Sequence, residues 1–462
     1  MRRVPVTRCF GSKVVVVGWN WELPRLCSGL FSLLPLRRYS ALGMPPADAH
    51  FSSWTLPARK APEDHGTKAA PMFRLSMPAL GIETRKVLFD ISRLLRSRNR
   101  RFATGIDRID LAIGLDLAER FGTNCHFVHA GSSGPSLLPT ALGKAILDFL
   151  DARWNRQDTS DFSRATEARL VVELVLGSVT RRRKRSCVGP DTTYVVASHS
   201  GLGKRPGSME RLDPRKRMRR IVYLHDIIPL EFPEYQRPAT RAEFSAYLDE
   251  MFGTPVKIVC NSDDTANRVR VLAERQHWRV EDVTVLKPEL VANPVPVIEP
   301  RSAVLKFLRD ERPFFTVVGT IEPRKNHLLL LNLWREFVSA GEAPRLCIIG
   351  KRGWENASVL DMLDRCEAIR ECITEFGDLA DYEVQLLMKA SEALLFPSFA
   401  EGLGIPILEA AALGVNCVAS DIPAFREIAP PGTIFLHPLD GLGWKREIYS
   451  RLKRDTQHIR AM

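Results

Sequence analysis

Two carboxylates, Glu401 and Glu409, bracket the segment Gly402-Leu403-Gly404-Ile405-Pro406-Ile407-Leu408. Gly402 and Gly404 let a backbone approach a ligand closely at the mouth of a strand-to-helix turn. Pro406 suits the first turn of a helix, where its missing N–H costs nothing. Such a helix aims free N–H groups and the positive end of its dipole at the loop, which makes an anion site. A carboxylate at that corner is poorly placed to bind phosphate itself. It is well placed to accept hydrogen bonds from sugar hydroxyls.

A second cluster is Arg324 with Lys325, which follows Val318-Gly319-Thr320-Ile321-Glu322-Pro323. Cations are unfavourable where a helix begins, so a pair of them there makes sense mainly with an anion between them. An ordinary surface helix start is the competing reading. His225 follows an apolar run and precedes Asp226; taken alone, such a histidine is often a structural residue. Gly105 stands where a polar, basic loop turns into a helix, and turn chemistry alone would account for it. Arg108 reads equally as a phosphate contact or a surface group.

These residues need elements to hold them. Apolar runs at 87–91, 125–129, 194–197, 221–224 and 257–260 read as buried strands, with a helix opening at Thr104-Gly105-Ile106-Asp107. Asn261-Ser262 is a good cap for a helix beginning at Asp263. Residues 139–185 look helical, ending in a basic run at 181–185. Four prolines between 288 and 300 cannot sit in a helix and read as a linker. Beyond it, strands at 314–318, 345–349, 372–376, 393–396 and 417–420 alternate with helices at 328–337, 358–369, 381–390 and 405–413. That alternation means a parallel, doubly wound sheet. Two such units joined by a linker leave a cleft, where ligands usually bind.

The stretch from Glu401 to Glu409 resembles the E-x7-E motif of the family-four GT-B glycosyltransferases. Val318-Gly319-Thr320-Ile321-Glu322-Pro323-Arg324-Lys325-Asn326 is similar to that family's strand-end loop, and Leu395-Phe396-Pro397-Ser398 and Ala419-Ser420-Asp421-Ile422-Pro423 fit it too. In the first half, Phe89-Asp90-Ile91-Ser92 with Thr104-Gly105-Ile106-Asp107-Arg108 resembles the glycine loop facing the donor. Leu224-His225-Asp226-Ile227-Ile228-Pro229 resembles the interdomain His-Asp segment. The match covers roughly 86–440 and is strongest from 314 onward. It implies an α/β, GT-B fold: two Rossmann-like, doubly wound parallel-sheet domains facing across a cleft. It implies a retaining, metal-independent hexosyltransferase that takes a nucleotide-sugar as co-substrate, with no cofactor. Arg324 and Lys325 would hold the diphosphate, Glu401 the transferred sugar and Glu409 the ribose. Gly105, Gly319, Thr320, Gly402, Gly404 and Ile405 would line the donor site, and His225 the reaction centre. Many relatives carry an arginine directly after the glycine, where this chain has Thr320.

Composition bounds the rest. The 462 residues are too many for one ordinary core. With 45% apolar and 26% charged residues the chain is globular rather than fibrous, disordered or membrane-spanning. Nine scattered cysteines without a C-x-x-C pair read as reduced thiols in a cytosolic protein. The net charge of +12 favours anionic partners. The basic runs at 181–185 and 215–220 lack interleaved aromatics, so they read as a solvated loop or a patch meeting anionic lipid, not a nucleic-acid site. The expected organisation is a poorly ordered extension, or sequence upstream of a later start, at 1–84, an acceptor domain at 85–287, a linker at 288–312 and a donor domain at 313–462. The acceptor would be a glycan or lipid-linked saccharide, and the place of work the cytoplasm or the inner membrane face. Two other readings stay open: a GT-B epimerase or sugar-phosphate synthase, and a non-catalytic nucleotide-sugar-binding partner subunit.

Overall fold

A computed structural model describes residues 72–131, 134–155, 167–172, 187–199, 201–293 and 299–460. The extension as far as 71, the basic run at 181–185 and the centre of the proline-rich stretch lie outside the described residues. The strands are β1 Met72–Ser76, β2 Lys86–Asp90, β3 Cys125–Gly131, β4 Gly134–Leu138, β5 Thr192–Val196, β6 Arg219–Leu224, β7 Val256–Cys260 and β8 Val280–Val285. They continue as β9 Glu289–Asn293, β10 Phe314–Val318, β11 Arg345–Ile349, β12 Ile373–Phe376, β13 Leu394–Phe396, β14 Cys417–Ser420 and β15 Ile434–Leu436. The helices that matter for the site are α1 Gly105–Phe121, α2 Asp263–Arg275, α3 His327–Ser339, α4 Asp381–Ala390, α5 Ile405–Ala412 and α6 Pro423–Ile428.

The first sheet runs β4-β3-β2-β5-β6-β7-β8 and is parallel except for the antiparallel β3–β4 pair. The second runs β12-β11-β10-β13-β14-β15 and is parallel throughout. Both reverse their winding once, between β2 and β5 in the first sheet and between β10 and β13 in the second. Ligands of such sheets bind in the crevice at the strand ends where the order reverses. The loop from Gly319 to Lys325 and the loop before α5 leave the two strands on either side of the second crevice.

The strands read as unbroken apolar runs because both sheet faces are covered. Val87 and Phe89 pack with Ile109, Ile113 and Leu117 of α1, while Leu88 between them packs with Tyr194 and Tyr247 on the other face. In the second domain Phe315 and Val317 meet Leu330, Trp334 and Phe337 of α3.

Two expectations need correction. Residues 72–84 are part of the fold: β1 pairs antiparallel with β9, and Leu75, Met77 and Leu80 are buried. The reason is that Arg74-Leu75-Ser76-Met77 alternates polar and apolar residues over too short a stretch to stand out beside so many prolines. The segment read as a linker also carries structure, with β9 at its start and a helix at Ser302–Arg309 near its end. The β1–β9 ribbon touches α1 of the first domain and α4 and α5 of the second. Among the described residues no helix is long and apolar enough to cross a membrane.

Candidate functional site at the cleft

At the end of β10 the backbone must bend sharply, and glycines permit it. Gly319 has φ of +141°, and a Cβ at Gly350 would lie 1.8 Å from the Gly319 carbonyl oxygen. Thr320 follows with its methyl against Gly353, where a Cβ would come within 2.8 Å of it. The chain then forms a short turn, Pro323–Lys325, and Asn326 adopts a left-handed conformation before α3. Asn326 is held there by its amide, which donates to the carbonyls of Pro397 and Pro438.

That turn delivers both cations to Glu401. Arg324 Nη1 lies 2.6 Å from Glu401 Oε2, and its Nη2 lies 2.6 Å from Glu322. Lys325 Nζ donates to Glu401 Oε1 at 2.5 Å and sits 4.6 Å from the centre of the Phe396 ring. Glu401 is 8% exposed and Lys325 7%. Burial would raise the Glu401 carboxyl, but the charges of Arg324 and Lys325 outweigh it and hold the group at about 2. Burial pulls the Lys325 ammonium down despite Glu401, and pushes the carboxyls of Glu322 and Asp226 up.

Gly404 caps α5 with φ of +105°, and Phe425 leaves no room there for a Cβ. Gly402 is one point where the two domains touch: a Cβ would lie 2.0 Å from the His225 carbonyl oxygen. Ser262 Oγ, the cap of α2, donates to the Gly402 carbonyl at 2.7 Å. Glu427 of α6 accepts from the backbone N–H groups of Asp263 and Asp264 and pairs with Lys287 at 2.6 Å. Trp354 donates to the Tyr235 carbonyl, and Tyr235 stacks on Phe399. Of these cross-cleft partners, Glu427, Lys287, Trp354 and Tyr235 were not singled out from sequence, because nothing in a residue's neighbours announces a contact with a distant loop.

From the first domain, His225 Nε2 donates to the Ala197 carbonyl at 2.7 Å, which leaves Nδ1 as the acceptor of a neutral ring. Burial lowers this imidazole to about 3. Gly105 begins α1, and a Cβ on it would lie 3.0 Å from Ile405 Cδ1, the first residue of α5. Thr104 and Asp107 cap α1 reciprocally, and Arg93 and Arg100 pin Asp107 at 2.8 and 2.7 Å. One turn into α1, Arg108 Nη1 donates to Glu409 Oε1 at 2.7 Å.

The sequence-derived residues therefore fall into two groups that share one cleft. Arg324 and Lys325 close on the Glu401 carboxylate with Gly319 against Lys325, Gly402 lies against the His225 backbone, and Thr320 packs aside against Gly353. Gly105, Gly404, Ile405 and Glu409 gather around the first turns of α1 and α5. Both helices present positive dipole ends at the second group, and two cations stand at the first, so the cleft suits an extended anion. Among the described residues no set of three or more His, Cys, Asp or Glu is gathered as metal ligands.

The family model described as glycosyl transferases group 1 matches residues 304–438. The serotype-specific mannosyltransferase WbdA of Escherichia coli is 31% identical over 214 residues, 45% of this chain and 26% of the relative. The O-antigen chain mannosyltransferase B of Escherichia coli is 26% identical over 251 residues, 53% of this chain and 64% of the relative. The chain thus spans less than two thirds of either. The crystal structure of Anabaena HepE in complex with UDP-glucose superposes with a TM-score of 0.50 at 14% identity, covering 80% of this chain and 90% of that one.

Proposed function

We propose, for a chain of GT-B fold whose C-terminal domain belongs to the glycosyl transferases group 1, transfer of a hexose from a nucleotide-sugar to a glycan or lipid-linked saccharide in polysaccharide biosynthesis. The observation that carries this reading is the closure of Arg324 and Lys325 on one buried carboxylate, Glu401, at the crevice of the donor sheet. The names of the relatives favour mannose as the sugar.

A donor diphosphate takes the place of Glu401 between the two cations, and the freed carboxylate turns to the sugar hydroxyls. Glu409 faces the ribose. The bond from the anomeric carbon to the phosphate oxygen breaks, with its electron pair leaving on that oxygen. The acceptor oxygen bonds the anomeric carbon on the same face, and its proton passes to the departing phosphate. Configuration is thereby retained. Arg324 and Lys325 stabilise the charge that grows on the leaving group, the task a divalent cation performs elsewhere, so no metal is required. An isolable glycosyl adduct on Glu401 would contradict this scheme. His225, neutral and fixed by Ala197, lines the reaction centre as a hydrogen-bonding group rather than a charge. The enzyme works in the cytoplasm, with the +12 charge drawing it to an anionic membrane face.

The test is a thermal-shift screen against GDP-, UDP-, ADP- and dTDP-sugars in EDTA. One donor class should raise Tm. The Arg324→Ala/Lys325→Ala variant should lose that rise and about a thousandfold in kcat/KM. A shift that needs added metal, or one the variant keeps, would overturn the reading.

A further inference from the structure

Arg108 is built unlike a surface arginine. It is 9% exposed, it leaves the first domain, and it ends beside α5 of the second. Its Nη1 is satisfied by Glu409, but Nη2 and Nε make no hydrogen bond although both are buried. Nε stands 3.7 Å from Asp381 Oδ2, too far for a hydrogen bond. A buried guanidinium with two idle donors is costly unless an acceptor arrives. The place where it ends is where acceptors of negative charge are favoured. Gly105, three residues earlier, abuts Ile405, so α1 and α5 begin side by side from opposite walls with their positive ends together.

A second observation concerns Thr320. Its side chain is packed against Gly353, and the backbone from Gly319 to Ile321 is hydrogen-bonded alongside 349–353. The position after the glycine therefore supplies no cation to the cleft. Arg324 is committed to Glu401 and Glu322, and Lys325 to Glu401.

We propose that Arg108 is a donor-binding residue contributed by the acceptor domain. It uses Nη2 and Nε to grip the diphosphate of a nucleoside diphosphate sugar while Nη1 holds Glu409 toward the ribose. This rests on the donor site lying at Arg324, Lys325 and Glu409. It makes donor binding a two-walled event: the diphosphate completes the hydrogen bonds of an arginine on the far wall, which ties occupancy of the donor site to closure of the cleft.

The experiment is titration of guanosine, GMP and GDP, and of uridine, UMP and UDP, into the full chain, wild type, Arg108→Lys and Arg108→Ala. Lysine keeps a charge opposite Glu409 but cannot fork onto two phosphate oxygens, so it also covers the case in which alanine does not fold. The better diphosphate should lose about tenfold or more in affinity with lysine, while its nucleoside changes by no more than about twofold. Glu409→Gln should weaken nucleoside and diphosphate alike. Equal losses for nucleoside and diphosphate in the Arg108 variants would mean that the arginine only orients Glu409, and unchanged affinities would mean that it is a latch between domains; either overturns the inference and leaves the donor site standing. Wild-type protein that binds none of the six, nor ADP or dTDP, would bring down the donor-site reading itself, and this inference with it.

Discussion

On the C-terminal wall of the cleft, charge is cancelled by pairing: Arg324 and Lys325 close on Glu401, and Glu401 stays ionised with its carboxyl at about 2. On the N-terminal wall Asp107 is paired with Arg93 and Arg100, but two histidines cancel their charge by loss of a proton. Burial lowers His225 to about 3 and His199 to about 4, so both rings are neutral at pH 7. The two devices differ in what they can exchange. A pair of cations held by a carboxylate can trade that carboxylate for a phosphate with little change in local charge. A neutral ring has no charge to trade and leaves a hydroxyl near it free to hydrogen-bond without being drawn into an ion pair. On the proposed reading the anionic donor engages the paired cations of the C-terminal wall and the acceptor hydroxyl meets the neutral rings of the other, with Arg108 and Lys287 among the cations that cross between the walls.

Glu401→Gln attacks the exchange directly and should have the largest effect. The amide keeps the size of the side chain and removes the charge that competes with phosphate. Affinity for the nucleoside diphosphate should hold or rise, while turnover falls about a hundredfold, because the sugar hydroxyls lose a charged acceptor. Calorimetric binding and steady-state kinetics on the same preparation separate the two. A parallel loss of affinity and turnover would mean that Glu401 binds the donor in the ground state and does not stand in for it.

A smaller effect should come from the ribbon between the walls. A chain starting at Met77 lacks β1 and its contacts with α1 and α4, loses the buried Leu75, and leaves β9 unpaired beside α5. Against a chain starting at Met72 it should be less stable by about 2 kcal/mol, the scale for one buried leucine. Denaturant titration of both chains measures it. Equal stability would show that β1 adds nothing to the joint, and would revive the expectation that everything before 85 is dispensable.

The C-terminal wall was far more legible in the sequence than the N-terminal one. Its strands are short apolar runs between well-marked helices, and its chemistry sits in contiguous stretches, Gly319 to Lys325 and Glu401 to Glu409, where glycine, proline and charge fall close together. What the sequence withheld is pairing across distance. Nothing beside Arg108 announces Glu409, 301 residues away, and nothing beside Ser262 announces the Gly402 carbonyl. The strands β4, β8 and β15 were also missed. They are sheet-edge strands, and β15 is three residues long, so a period of two has little room to show. The cap at Ser262 was legible because a helix start is a local event, and its hydroxyl does accept from Thr265 N–H.

His327 tests whether the two devices really divide by wall. It opens α3 directly behind Lys325, 1% exposed, with neither ring nitrogen hydrogen-bonded. Burial and then the Lys325 charge lower it to about 3, so the C-terminal domain holds a neutral histidine too, directly behind Lys325 in the chain. Its folded value lies below the unfolded value of 6.5, so the folded state refuses a proton that the unfolded chain accepts. The stability tied to that group is fully present above pH 6.5 and is lost as pH falls toward 3. Between pH 7 and pH 5 the loss from this one group is on the order of 2 kcal/mol. Leucine fills a similar volume and neither titrates nor leaves polar atoms unpaired. His327→Leu should therefore soften the fall in Tm from pH 7 to pH 5 while leaving donor affinity at pH 7 within about twofold, because the ring is buried at 1% exposure. A variant with the wild-type acid dependence would place the proton uptake elsewhere, on His225 and His199. A variant with weakened donor binding would mean that His327 tunes Lys325, and that proton loss serves both walls of the cleft.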